Sequence, residues 1–464
     1  MFPRPRLITV DHLLLEEGWR GPAWLKLDAQ GFIEALGEGA APEGEAEHLP
    51  GWVLPGMPDL HSHAFQRAMT GLGEVAAAGA RDDFWSWREA MYRVALRIEP
   101  DELEAIAAWL QVELLEGGYT RLGEFHYLHH APDGRPYEDP TELAGGIVAA
   151  SEGTGMGLTL LPVLYLHGGF GRPALAEQRR FVFPGVEAYL GYWQALEARL
   201  RDHPEVLLGA APHSLRAVDP ESLSALVEAL DPATLKHLHA AEQPAEVEGC
   251  QEALGARPVA WLLDHQPVDE RWCLVHATWL DADETRRLAA SGAVAGLCPS
   301  TEASLGDGFF PAEDYLAAGG RFGIGSDSQV GASAAGELRL LEWGARLKAG
   351  RRCLLAAGLP AAEGRVGQAL WQRAVEGGAR ALGQGGHLAV GRPADLVALD
   401  PDHPRLLGHD RESVLSAFLL GGGEGAVSEV LCQGRWVVHQ GRHRERERHA
   451  QGFARAMRRL KERA

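Results

Sequence analysis

A chain of 464 residues has room for two or three folding units, and 46% hydrophobic with 23% charged residues is ordinary globular composition. That excludes collagen-like, low-complexity and disordered classes. Lysine and arginine number 44 against 64 aspartate and glutamate, a formal charge of −20, which argues against a protein that grips nucleic acid or an anionic membrane.

The first residues run through Pro3, Arg4, Pro5 and Arg6 to Asp11, Glu16 and Glu17 with no apolar core of signal-peptide length, and no later run approaches the ~18 residues of a membrane span. Five cysteines, Cys250, Cys273, Cys298, Cys353 and Cys432, form no CxxC pair and suit reduced thiols; the expected location is cytoplasmic. Residues 1–55 read as short strands (LITVDHLLL, AWLKLD, FIEALG) separated by Gly and Pro. The same texture returns over 386–441, in PADLVALD and SEVLCQGRWVVHQG, so one small β domain built from both ends is predicted. Residues 442–464 carry nine basic and three acidic residues and read as a charged helix with a solvated or subunit-packing face.

Between 56 and 385 short apolar runs alternate with amphipathic helices such as 100–118 and 281–292. With the run ending at His61, the runs 118–125, 158–166, 206–212, 235–240, 271–277, 293–299 and 321–327 give eight strands. That predicts an α/β fold with a (β/α)8 barrel.

Nearly every predicted strand ends in a histidine or a carboxylate: His61 and His63, then Glu124 to Tyr127, then His213, His239, His276 and Asp327. Barrel enzymes carry their chemistry at these ends, so the residues should converge on one mouth. His61 and His63, two apart on a strand, can grip one metal from the same side. Any one histidine here could be a satisfied core residue; the set in register predicts a metal site. A two-metal site would want a bridging lysine on the fourth strand, which has none and brings His213 and Arg216 instead. One Zn2+ per subunit is expected, with Fe2+ or Mn2+ as alternatives. Glu242, three residues after His239, can face the same cavity and move a proton; its bland reading is a surface or helix-start glutamate. Asp327 can bind the metal and accept a proton from water, and His276 can orient that water.

The order HxH, histidine, histidine, aspartate on a barrel flanked by a split β domain resembles the amidohydrolase superfamily. The missing bridging lysine and the HxxE motif look like its mononuclear deaminases. Eight segments are similar to the N-formimino-L-glutamate deiminases: GMPDLHSHAFQRAMTGL (56–72), FWSWREAMYR (84–93), EFHYLHH (124–130), HSLRAV (213–218), HAAEQPAEVE (239–248), VHATW (275–279), LCPSTEASLGDGFFPAEDYLAAGG (297–320) and GIGSDS (323–328). The resemblance implies a distorted TIM barrel of the amidohydrolase type with a small β-sandwich domain from both termini. It implies zinc on His61, His63, His239 and Asp327, with Glu242 as proton shuttle. It implies substrate contacts at Gln66, Arg88, Tyr127, His213 and Arg216, and a homodimer. The activity implied is hydrolysis of N-formimino-L-glutamate to N-formyl-L-glutamate and ammonia, in histidine degradation. Gln329 to Ala332 depart from the family pattern and receive no chemistry.

The residues themselves point the same way. A dicarboxylate substrate needs two fixed cations or equivalent donors, and Arg88 and Arg216 each offer a planar fork, although Arg88 alone could be a surface ion pair on its helix. Tyr127, His213 and Gln66 add neutral or switchable donors. Two rivals stay open: a zinc deaminase of a purine or pyrimidine base, stacking it on Trp85, Trp87 or Phe125, and a dead barrel used as a scaffold.

Overall fold

The structure is a computed structural model that describes residues 4–74 and 84–463; the side chains of Phe84 and Trp85 lie outside that description. The middle of the chain forms a parallel barrel of β1 (Met57–Ser62), β2 (Tyr119–His126), β3 (Gly157–Leu164), β4 (Leu207–Leu208 and Ala211–Pro212), β5 (Lys236–Ala240), β6 (Trp272–His276), β7 (Val294–Leu297) and β8 (Arg321–Ile324). Pairing runs in chain order from β1 to β4 and from β5 to β8, and β8 returns to β1 through Ile324 and Asp59. The remaining gap closes through parallel bridges of Ala210 to Lys236 and Ser214 to His239. These strands are apolar on both faces because one face fills the barrel and the other meets helices. Leu60, Cys273, Val275, Val294 and Leu382 share one fully buried cluster.

The fourth strand differs from the continuous run 206–212 predicted for it. It breaks at Gly209, whose carbonyl turns to accept from Trp193 Nε1 at 2.9 Å. A Cβ there would meet Leu161 Cδ2 at 2.6 Å, so the glycine permits a close approach of neighbouring strands. Helices fill the crossovers and begin on recognisable caps: Asp281 accepts from the backbone N–H groups of Asp283 and Glu284 ahead of Ala282–Ser291.

The two ends of the chain build one nine-stranded sheet. Its order is Arg442–His443, Arg435–His439, Val427–Cys432, Leu396–Leu399, Glu47–Pro55, Leu7–Leu15, Ala23–Leu27 and Ile33–Glu38, with Gly18–Arg20 beside Leu7–Leu15. The seam is Glu47–Pro55, which pairs parallel with Leu7–Leu15 and antiparallel with Leu396–Leu399. Ile8, Val10, Leu25, Val53, Leu396 and Trp436 make its own apolar core. Trp371, fully buried on the helix Val366–Leu382, ties this sheet to the barrel by donating to the carbonyl of Pro55 at 3.0 Å.

The basic C-terminal stretch is helical over Arg446–Glu462 and packs on Pro100–Glu116 of the same chain. Arg446 pairs with Glu116 at 3.0 Å and Arg459 with Asp101 at 2.8 Å, and Arg463 bonds Glu102, so part of its charge is neutralised internally. No helix among the described residues is long and apolar enough to cross a membrane.

Candidate metal centre and active site

The strand ends do converge. His61 sits on β1, and His63 follows it just before the short helix Ala64–Met69; their Nε2 atoms lie 3.2 Å apart. His239 on β5 brings its Nε2 to 3.1 Å from that of His61. Asp327, just past β8, places Oδ1 at 3.3 Å from His63 Nε2 and 3.6 Å from His61 Nε2. Zinc–nitrogen bonds of roughly 2.0–2.1 Å put the donors of a tetrahedral site roughly 3.3 Å apart, so these spacings match one ion.

Hydrogen positions strengthen the fit. His63 Nδ1 faces the carbonyl of Phe125 and His239 Nδ1 faces the carbonyl of His213, both at 3.0 Å. A carbonyl only accepts, so each Nδ1 carries the hydrogen and each Nε2 turns a lone pair inward. Burial drives all three histidines toward the neutral form, pushing His63 down to about 3. Lone pairs and a carboxylate meeting at one buried point call for a cation.

Supporting side chains hold this geometry. Asp59 accepts from Ser326 N–H at 3.0 Å and Ser326 Oγ at 2.5 Å, tying β1 to the end of β8 beside Asp327. Glu124 accepts from Ser62 Oγ at 3.1 Å and Ala64 N–H at 2.9 Å, gripping the chain on both sides of His63. Left-handed backbone recurs at the mouth: Ala241, His276, Ala277, Asp327 and Gln329 have φ between 44° and 66°. Such conformations cost about 1–3 kcal/mol each and persist where surrounding contacts dictate them.

Next to the metal ligand set lies an acid–base cluster. His276 Nε2 stands 3.6 Å from Glu242 Oε1 and 3.7 Å from Asp327 Oδ2, while Nδ1 faces Glu302 Oε1 at 3.3 Å. Burial alone would lower the pKa of His276; the three carboxylates outweigh it and raise it to about 10. Burial likewise lifts Asp327 to about 7. The backbone N–H of Glu242 is held by Glu246 Oε2 at 3.0 Å, and its own Oε2 lies 3.6 Å from Arg216 Nη2.

The cavity above this centre is lined by His63, His239, Glu242, His276 and Asp327 at its floor, with Gln66, Arg88, Tyr127, His213 and Arg216 around them. Every residue expected at the site thus faces one cavity, with His61 beneath it. His126, at the end of β2, is buried behind the wall and does not reach it.

The model of the Amidohydrolase family matches residues 52–437. The chain belongs to the amidohydrolase family. A curated formimidoylglutamate deiminase of Pseudomonas aeruginosa is 49% identical over 97% of this chain and 98% of its own. Among solved structures, an amidohydrolase from Brucella melitensis superposes with a TM-score of 0.92 at 44% identity, covering 98% of this chain and 99% of that one. An adenosine deaminase from Xanthomonas campestris with bound zinc shares the fold at a TM-score of 0.79 and 22% identity, over 98% of both chains.

Sequence reasoning missed several residues of this amidohydrolase site. Gln329, given no chemistry, is buried and donates from Nε2 to Ser62 Oγ at 3.0 Å and to the Asp327 carbonyl at 2.7 Å. Its position two residues past the aspartate was the available signal. Tyr92, Tyr165 and Phe181 also line the cavity; Tyr92 lies in the matched segment 84–93, and nothing local in the sequence marks the other two.

A zinc-loaded preparation is expected to keep one equivalent through dialysis, and His239→Ala to lose it, measured by atomic emission. A variant that keeps a full equivalent would take His239 out of the ligand set.

Proposed function

We propose that this chain hydrolyses N-formimino-L-glutamate to N-formyl-L-glutamate and ammonia, a step in histidine degradation, with one zinc ion held by His61, His63, His239 and Asp327. The observation that carries the reading is the pairing of that donor set with two arginines, Arg88 and Arg216, on the same cavity. A linear diacid uses two cations; a neutral heterocycle does not. The name of the P. aeruginosa relative agrees with it.

Zinc in this place would lower the pKa of water toward ~7 and act as a Lewis acid on the formimino group. The protein supplies the rest. Glu242 Oε1 takes the proton of the attacking water and passes it to the amino nitrogen, which departs as ammonia. His276 is fixed by Glu302 on one side, so its Nε2–H points toward Glu242 and Asp327, where it orients the water. Asp327 would hold the metal and accept the second proton, the one the added hydroxyl loses as the formyl carbonyl forms. Gln66 donates from Nε2 to the Tyr127 hydroxyl at 2.9 Å and keeps its buried Oε1 without a partner among the described residues. That oxygen suits an N–H of the cationic formimino group. Arg88 and Arg216 take the carboxylates, with His213 and Tyr127 as further donors.

Reduced cysteines, four of the five buried, accord with a cytoplasmic enzyme, and a homodimer belongs to the same reading. Stacking of a purine or pyrimidine has less support. Phe125 is fully buried behind the histidines, its ring centre 4.5 Å from that of His239, and offers no face to a base. Trp87 does line the cavity, but it sits on the helix that also carries Arg88, a cation a neutral base does not use.

The test is product analysis of the zinc-loaded protein with N-formimino-L-glutamate. Equal ammonia and formylglutamate are expected. Formamide and glutamate would mean that the wrong nitrogen leaves, and no product at all, with ammonia released from a base, would transfer the reading to the ring deaminases.

A further inference from the structure

Gln178 is fully buried in the short helix Ala176–Gln178. Its Oε1 accepts the backbone N–H of Leu175 at 2.8 Å, which fixes which end of the amide is oxygen. The NH2 end donates to two phenols, Tyr92 at 2.9 Å and Tyr165 at 2.8 Å. Each phenolic oxygen therefore already receives a hydrogen. Sharing one NH2 donor brings the two hydroxyls close together, so one phenolic proton can be used between them. At least one is left to point elsewhere.

The two rings stand on the cavity wall, where a substrate oxygen can take that hydrogen. Tyr92 is four residues after Arg88 on the helix Phe84–Ala95, and the Arg88 guanidinium carbon lies 5.7 Å from its ring centre. Tyr165 follows β3, and its ring meets His213 edge-on at 4.5 Å. Both line the same cavity as Arg88 and Arg216. Burial raises the pKa of the Tyr165 hydroxyl, which stays protonated.

We propose that Gln178 sets Tyr92 and Tyr165 as hydrogen donors to one carboxylate of the substrate, so that these three residues help to select a diacid. This rests on the deiminase reading above. A carboxylate offers about four lone-pair sites and one guanidinium fork fills two of them. Phenols can satisfy the others without adding positive charge to a site that also takes a cationic formimino group.

The experiment uses zinc-loaded full-length protein and three compounds: N-formimino-L-glutamate and its two monoamides, one amidated at the α- and one at the side-chain carboxylate. Wild type must first turn over the diacid; if it does not, the deiminase reading fails and this inference falls with it. Given turnover, the Tyr92→Phe/Tyr165→Phe double variant is expected to raise KM for the diacid about ten- to a hundredfold with kcat within about threefold. Its preference for the diacid should shrink against one monoamide only. Gln178→Glu, whose carboxylate would draw both phenolic protons away from the cavity, should give the same pattern. An unchanged KM, or an equal loss on all three compounds accompanied by loss of zinc, would overturn the assignment while leaving the deiminase reading in place.

Discussion

Replacing Glu242 with glutamine is expected to cut kcat about 10²–10⁴-fold while one zinc stays bound per chain. The substitution keeps the shape of the side chain and removes its ability to carry a proton. The four donors that fit a metal, on His61, His63, His239 and Asp327, do not include Glu242, so metal content should hold. The backbone N–H of Glu242 would still be held by Glu246 Oε2, so the loop should stay in place. Steady-state kinetics with metal analysis on the same preparation checks both halves. Turnover within a factor of three of wild type would remove Glu242 from the proton path.

The second large effect is expected from Arg216→Met, which should lower kcat/KM by about 10²–10³-fold with little change in metal content. Its side chain is mostly buried and does two things in this structure. It faces the cavity where a substrate carboxylate would lie, and its Nη2 sits 3.6 Å from Glu242 Oε2. Methionine preserves bulk but leaves Glu242 and Glu246 buried without that cation, a costly arrangement. The loss should therefore appear in kcat as well as KM. Arg88→Met, on the helix Phe84–Ala95, should act mainly on KM. An unchanged KM for the diacid in the Arg216 variant would take that residue out of the carboxylate site.

Much of the site could be read before any fold was known, because its ligands follow strand periodicity. The HxH pair at 61 and 63, His239 with Glu242, and Asp327 each close an apolar run, and a barrel brings all such ends to one rim. The arginines were legible through the chemistry of a diacid. What could not be read depends on closure across long stretches of chain. Glu302 reaches His276, Glu124 grips both sides of His63, and Gln329 reaches Ser62 on β1 only after separate strands have met. Gln178 is a further case. Its role depends on which end of an amide meets the Leu175 N–H, and no periodicity encodes that. The break in the fourth strand has the same origin, since the carbonyl of Gly209 is claimed by a tryptophan sixteen residues earlier.

The sheet made from both ends of the chain has a consequence for how the protein comes into being. A ribosome delivers Leu7–Leu15 and Glu47–Pro55 first, yet Pro55 finds its partner Leu396 only after the whole barrel has been synthesised. Until then Glu47–Pro55 is an apolar edge with unpaired backbone groups, the kind of surface that recruits strands from other molecules. Contacts of such sequence separation are slow to form because a very long loop must close first. The barrel, made of successive neighbouring strands, can assemble in the meantime and hold the two ends near one another. Barrel and sheet strands thus become available at different times, and in the interval a nascent molecule carries an open edge that can associate with its neighbours.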